Sequence, residues 1–152
     1  MKVLGENSIS SFVNILLKII LVLGIVVIIC LPMLLNWYIN YFPINHVNYY
    51  PMLVVLYLSG IVALFAILRF IKLFETLKNN TPFIMENVKN FKAISICCLV
   101  IAAIYLIGIF VFKSAFVLVI FIMFTIAYLA FLIMAELFKQ AVEYKEENDL
   151  TI

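Results

Sequence analysis

The chain has 152 residues, of which 68% are hydrophobic, and its formal net charge is only +2. That apolar fraction exceeds the roughly 45–50% of typical soluble domains. A chain of this length forms one domain, which cannot bury so much apolar surface within itself. Composition therefore excludes a water-soluble protein, and the small net charge gives no indication of direct binding to nucleic acid.

Charged residues are absent from three long stretches of the chain. These are 50 residues from Ile19 to Leu68, 20 residues from Ala93 to Phe112, and 22 residues from Ser114 to Ala135. Because about 20 apolar residues cross the hydrocarbon of a bilayer as a helix, the longest stretch has room for two spans and the others for one each. The sequence predicts an all-α integral membrane four-helix bundle built from two helical hairpins, with spans at 12–35, 51–71, 93–112 and 116–138.

The first predicted span contains two unusual residues. Lys18 lies near its start, where the long side chain can reach the lipid headgroups. Pro32 removes a backbone donor near the other end and predicts a kink there. The connection that follows, 36–50, has six aromatic residues and four asparagines but no charge, which is typical of an aromatic belt at the membrane surface.

Lysine and arginine residues predict the orientation of the spans. Nine of the ten lie at the first span, at Arg69, in the connection 72–92 or in the tail 139–152. The other side of the membrane holds only Lys113. Because positive residues concentrate on the cytoplasmic side, both termini and the connection 72–92 are predicted to be cytoplasmic. The link around Lys113 and Ser114 is so short that spans three and four should be antiparallel neighbours.

The cytoplasmic connection is predicted to contain a short amphipathic helix that leads into the third span. Thr81 can cap its first N–H groups, and Pro82 suits its first turn. Apolar residues recur at helical spacing, and polar residues fall mostly on the other side. The apolar set is Phe83, Ile84, Val88, Phe91 and Ile94; the polar set is Glu86, Asn87, Lys89, Asn90 and Lys92. Such a helix can lie among the headgroups or form a docking surface for a partner.

A motif in this connection resembles a known family. The motif reads TPF-x-x-EN-V and consists of Thr81, Pro82, Phe83, Glu86, Asn87 and Val88, with Phe91 and Ile94 following on the apolar side. It is similar to the DUF2975 family of small bacterial four-helix membrane proteins, and the predicted topology agrees over nearly the whole chain. Ile84 departs from the family pattern, where a small hydroxylic residue is common. The resemblance implies a bacterial inner-membrane location, no assigned activity, and a partner among small Cro-like helix-turn-helix proteins.

The tail 139–152 is predicted to continue the fourth helix beyond the membrane. Lys139 and Glu143 are four residues apart and can form a weak pair. The end of the tail is acidic, which is typical of a solvated terminus. Contact with the basic connection or with a basic partner is the alternative.

No catalytic or metal-binding constellation is evident in the sequence. His46 is the only histidine and has no ligand companions nearby, so no metal site and no cofactor are predicted. Cys30, Cys97 and Cys98 all lie in apolar segments without a C-x-x-C pattern, which favours small buried hydrophobes. The sequence therefore predicts that the protein is not an enzyme.

The favoured interpretation is a non-enzymatic membrane protein that anchors or regulates a cytoplasmic partner such as a small helix-turn-helix regulator. Formation of a homo-oligomer is compatible with this interpretation. One alternative is a small oligomeric exporter or channel, with Tyr57, Ser59 and Tyr128 near its path. Another is an immunity protein against a membrane-active peptide, with the aromatic outer connection as its contact. The predicted partner-binding residues are Arg69, Lys72, Lys78, Thr81, Pro82, Phe83, Glu86, Asn87 and Lys89.

Overall fold

The computed structural model describes residues 9–41, 48–78 and 82–149. These residues form four α-helices and contain no β-strand. The helices are α1 (Ile9–Tyr41), α2 (Tyr49–Lys78), α3 (Met85–Phe112) and α4 (Ala115–Asp149). Each is long and apolar enough to cross a membrane, so the predicted all-α architecture with four candidate spans is confirmed.

Helices α1 and α2 pack side by side and run antiparallel. Near one end, Lys18 Nζ lies 3.4 Å from Glu75 Oε1. Further along, Gly24 faces the side chain of Leu64, and Gly60 faces that of Ile28. At the other end, the hydroxyl of Tyr49 donates to the carbonyl of Pro32 at 3.4 Å. As the residue number rises along α1, that of its contact on α2 therefore falls.

Helix α3 is the central helix of the molecule. It packs closely against α2 on one side and α4 on the other, whereas the only close backbone approach of α1 among the described residues is to α2. In the apolar stretch of α3, 33% of the residues are buried, against 6% or less in each of the other helices. The chain thus places its third helix inside and its first at the edge.

The hydrophobic core lies between α2, α3 and α4. Its buried residues are Leu73, Phe91, Ile94, Cys98 and Ala135. Aromatic rings surround them: Phe70 meets Phe131 edge to face at 5.3 Å between ring centroids, and Phe91 lies 4.7 Å from Phe138. Edge-to-face and tilted pairs at this distance add about 0.5–1.5 kcal/mol each beyond the area they bury.

Most of the remaining apolar surface is exposed. Met33, Phe110 and Phe116 each have more than three quarters of their surface uncovered, and many aliphatic residues on all four helices are similarly open. In water, apolar patches of this extent would drive aggregation. In a bilayer, the acyl chains cover them, which supports a multi-pass membrane protein.

Helices α1 and α2 extend further than their predicted spans at the end where the connection between them lies. Helix α1 continues to Tyr41 rather than ending near 35, so Trp37 and Tyr38 belong to its last turns, and Trp37 stacks on Tyr41 at 5.5 Å. Pro32 lies inside this helix. Helix α2 begins at Tyr49, which places Pro51 in its first turn. Residues 42–47, including His46, lie outside the described residues.

The link between α3 and α4 is as short as the sequence predicts. Helix α3 ends at Phe112, and Lys113 adopts the left-handed conformation with φ of 49°. Its N–H bonds to the carbonyl of Ile109 at 3.0 Å, which closes the helix C-terminus. After Ser114 the chain returns along α3, and a Cβ added to Gly108 would lie 3.3 Å from Val117 of α4. The two helices therefore approach closely at this end.

Candidate functional site

The charged residues of the described helices gather at one end of the molecule, here called the charged end, whereas Lys113 lies in the link between α3 and α4 at the other end. The charged end consists of Lys18, the residues from Arg69 to the end of α2, residues 82–92, and residues 136–148. Contacts hold these parts together: Lys18 pairs with Glu75, and Phe138 of α4 meets both Phe83 and Phe91. The predicted partner-binding residues belong to this end, apart from Thr81, which lies outside the described residues.

The end of α2 and the start of α3 are joined by one buried amide. The side-chain Nδ2 of Asn87 donates to the carbonyl of Pro82 and to the hydroxyl oxygen of Thr76, each at 2.7 Å. The Thr76 hydroxyl also lies 2.8 Å from the carbonyl of Leu73 in its own helix. Asn87 is fully buried. We call this arrangement of Thr76, Pro82 and Asn87 the α2–α3 joint.

The start of α3 differs from the prediction. In the described part of the connection no separate helix precedes the span, because α3 is continuous from Met85 to Phe112. Ile84 occupies the N-cap position in an extended conformation and makes no side-chain capping bond; the backbone N–H of Asn87 bonds to its carbonyl at 3.0 Å. Thr81, predicted as the cap, lies outside the described residues. The Asn87 side chain holds the turn by donating to the Pro82 carbonyl. This differs from the role of a capping hydroxyl, which accepts from backbone N–H groups.

The predicted polar face of this segment is wrong at two positions. Asn87 has no exposed surface and Asn90 is only 1% exposed, although both were assigned to the outward side. Asn87 lies four residues before Phe91 and seven before Ile94, so it shares their inward face. Its burial is tolerated because Thr76 and Pro82 supply hydrogen-bond partners. The amide nitrogen of Asn90 has no such partner among the residues that the structure describes.

The other predicted contact residues divide into exposed and partly covered groups. Lys72, Glu86 and Lys89 are exposed, and Phe83 is 45% exposed. Pro82 is partly buried, as is Arg69, whose guanidinium lies 5.8 Å from the ring centroid of Phe65. Lys78 is the last residue of α2. Asn87, by contrast, holds the joint and offers no surface to a partner.

The tail of α4 packs on the connection instead of standing free. Val142 is only 2% exposed, and Phe138 lies 5.8 Å from Phe83 between ring centroids. Lys139 Nζ and Glu143 Oε1 are 3.7 Å apart, which confirms the predicted pair. Phe83 lines a groove together with four residues of the tail, which are Ala141, Tyr144, Lys145 and Asn148. Tyr144 is not among the predicted contact residues, although an aromatic residue in a charged tail is a signal for such a position.

Cysteines and small residues take different roles from one helix to another. Cys98 belongs to the core and Cys97 is partly buried, but Cys30 is exposed on α1, so the interpretation as a buried hydrophobe is wrong for Cys30. All three are free thiols. Gly60 meets Ile28 closely, in agreement with a packing role for small residues. Within the described ranges, no group of three or more histidine, cysteine or acidic side chains is placed to hold a metal ion.

The fold and this end of the molecule define an α-helical multi-pass membrane protein with a charged, ordered extension. The model of the family described as "Protein of unknown function (DUF2975)" matches residues 40–152. The chain therefore belongs to the DUF2975 family, as the motif around the α2–α3 joint suggests. The match covers α2, α3 and α4 and begins at the last residues of α1. No curated protein and no solved structure matches the chain.

Proposed function

We propose that the protein is a non-enzymatic anchor in the bacterial inner membrane that holds a cytoplasmic protein partner at its charged end. The partner class that suits this role is a small helix-turn-helix regulator. Both termini and the connection 72–92 face the cytoplasm in this proposal. The charge distribution supports that orientation, because positive residues favour the cytoplasmic side and, among the described lysines and arginines, only Lys113 lies at the opposite end.

The observation that carries the proposal is the ordered packing of helices beyond the charge-free stretches. Charge-free sequence begins at Ala93 in α3 and ends at Ala135 in α4. Outside those limits Val88 and Val142 are each only 2% exposed, and Asn87 is fully buried in the joint. A chain that needed only to remain in the membrane would gain nothing from a packed extension there. A rigid extension with exposed charges is what a docking surface for another protein requires.

Binding at the membrane would act by sequestration. A DNA-binding regulator held at the charged end is kept from its operator, and it is released when a signal favours the unbound state. Lys72 and Lys89, which are exposed, would attract acidic groups of the partner and accelerate the encounter. Phe83 would supply an apolar contact beside them.

An exporter or channel has weaker support from the structure. The hydroxyl of Ser59 donates to the carbonyl of Val55, and that of Thr125 donates to Phe121, each at 2.8 Å. Both hydroxyls therefore satisfy themselves on their own helices. A conducting path would need polar groups from several copies of the chain. A flux assay in reconstituted vesicles tests whether such an assembly conducts.

Co-purification tests the anchor. The double variant Lys72→Glu with Lys89→Glu, expressed with an affinity tag and extracted in mild detergent, should recover at least about tenfold less partner than the unchanged chain, because two attractive contacts become repulsive. Lys113→Gln, at the opposite end, is the matched control and should recover the normal amount. The recovered protein should also bind specific DNA once separated. Equal recovery by the double variant, with normal insertion, would exclude these contacts.

Reporter fusions test the orientation separately. A reporter active only in the cytoplasm should work when fused after Lys89 or after the tail, and should fail when fused after Lys113. The reverse pattern would place the charged end outside the cell and remove the basis for a cytoplasmic partner, whatever the co-purification shows.

A further inference from the structure

We propose that the groove between Phe83 and the last turns of α4, here called the tail groove, binds an apolar side chain from an amphipathic helix of the partner, with a carboxylate of that helix meeting Lys145. This inference rests on the proposed function, which it deepens by naming the anchor point and the chemistry of the partner. The groove is lined by Phe83, Ala141, Tyr144, Lys145 and Asn148.

The groove offers apolar surface that the rest of the protein leaves uncovered. Phe83 is 45% exposed and Tyr144 is 69% exposed. Ala141 lies between them on α4 and leaves room for a side chain from another molecule. Tyrosine and phenylalanine in a concave site are the residue types that most often anchor protein interfaces.

The depth of the groove argues against lipid as its occupant. Charge-free sequence in α4 ends at Ala135, and Tyr144 lies nine residues further along a continuous helix. At about 1.5 Å per residue, this places Tyr144 about 14 Å beyond the end of the charge-free stretch and about 9 Å beyond Phe138, where the predicted span ends. The headgroup layer on each side is about 5–8 Å thick. A helix tilt of about 20° shortens the distance by less than an ångström, so the groove opens into water.

The charge of the groove selects the partner's chemistry. Among the described residues that line it, Lys145 is the only charged one. Glu143 and Glu146 lie on the opposite side of α4, since successive residues are rotated by about 100°. Glu147 follows Tyr144 by three residues but does not line the groove. An apolar side chain entering the groove would therefore be accompanied best by an acidic neighbour. A helix carrying an aliphatic or aromatic residue with Glu or Asp one turn away fits this arrangement.

A single-tryptophan variant tests the depth of the groove. Trp37 is the only tryptophan, so Trp37→Phe with Tyr144→Trp reports on the groove alone. In lipid nanodiscs its fluorescence should be quenched by aqueous acrylamide and not by brominated acyl chains. Leu129→Trp in the same background, on an exposed site within the apolar stretch of α4, should show the reverse. Quenching of Tyr144→Trp by brominated lipid would mean that lipid covers the groove, and the proposal would be wrong.

A display library of randomised helical peptides, selected on the nanodisc-embedded protein, tests the chemistry. Enriched peptides should carry an apolar residue one turn from an acidic one, and their binding should weaken at least about tenfold in Tyr144→Ala and in Phe83→Ala. Lys145→Glu should reverse the enriched charge to Lys or Arg. Glu146→Gln, on the far side of the tail, is the matched control and should select the same peptides as the unchanged chain.

Two further outcomes would overturn the inference. If the same peptides are enriched, with the same binding, on the Tyr144, Phe83 and Lys145 variants as on the unchanged chain, the groove does not anchor helices. Concentration-dependent cross-linking of Tyr144→Cys between copies of the chain would show that a second copy occupies it. Either result is independent of the recovery lost on reversing Lys72 and Lys89, so failure of the groove and failure of the anchor are distinguishable.

Discussion

Helix α1 and the three-helix unit α2–α4 are held in the molecule in different ways. The unit shares a core in which Ile94 has no exposed surface and Phe91 contacts Phe138. Within the described residues, the only close backbone approach of α1 is to α2, and Gly24 and Gly60 lie in this contact beside Leu64 and Ile28. The α2–α4 unit is held together by side chains that pack in a shared core, whereas α1 is held by the close approach of its surface to that of α2.

The difference reflects the physics of the bilayer. Lipid tails are as apolar as leucine, so burial gives little drive for helices to associate, and packing and hydrogen bonds must supply it. The α2–α4 unit has both, since it contains the aromatic core and the α2–α3 joint. The family match over residues 40–152 covers this unit and includes only the last residues of α1. The part of this chain that the family model matches is therefore the part with the internal core.

The largest expected effect tests the core of the unit. Ile94→Ala should lower the free energy of unfolding by about 2–5 kcal/mol, because a fully buried side chain leaves a cavity between three helices. Ile96→Ala removes the same atoms from the same helix at a site that is 58% exposed, and it should change stability by less than about 1 kcal/mol. Denaturation in mixed SDS micelles measures both. Equal losses would show that α3 is not the enclosed helix.

The joint provides the next test. Asn87→Leu should cost about 2–3 kcal/mol, since the carbonyl of Pro82 and the hydroxyl of Thr76 lose a shared donor in a buried site. Glu86→Gln, exposed at the adjacent position, should be nearly neutral. The same denaturation assay applies. Hydrogen exchange should show faster exchange in the first turns of α3 for Asn87→Leu alone, and unchanged exchange there would contradict a joint role.

The joint also shows where sequence reasoning stops. The number of helices, the charged end and the Lys139–Glu143 pair follow from composition, charge and spacing. The inward position of Asn87 does not, because a periodicity argument treats asparagine as a surface residue. Only the fold brings Thr76 of another helix and the Pro82 carbonyl within reach of its amide. The position of Asn90 has no such explanation in the contacts of the structure.

The ends of the helices illustrate a second limit. Trp37, Tyr38 and Tyr41 have lower hydropathy than the span before them, so the sequence places them in a connection, yet the backbone continues as a helix through all three. Aromatic residues suit the membrane surface in either conformation. Hydropathy therefore predicts where lipid ends better than where a helix ends.

Disturbing the α1 contact should have a smaller effect than disturbing the core. A Cβ on Gly60 would lie 3.3 Å from Ile28, so Gly60→Val should push α1 away and cost about 1–3 kcal/mol. Gly24→Ala should be milder, because alanine adds a single methyl group and the atom that its Cβ would meet at 2.7 Å is the far end of the flexible Leu64 side chain. Distances between spin labels on α1 and α2 should increase for Gly60→Val and leave α3–α4 distances unchanged. A shift in both pairs would mean that α1 is part of the core.

The Lys18–Glu75 pair should contribute least to holding α1 in place. Its two atoms are 3.4 Å apart, but the side chains are 56% and 49% exposed, so water and salt screen the attraction. A double-mutant cycle with Lys18→Gln and Glu75→Gln should give a coupling of about 0.2–1 kcal/mol that falls as salt is raised. The corresponding cycle for Lys139 and Glu143 should give a similar value. A larger, salt-independent coupling for Lys18 and Glu75 would show that the pair is shielded from water, and that charge as well as close packing binds α1 to the unit.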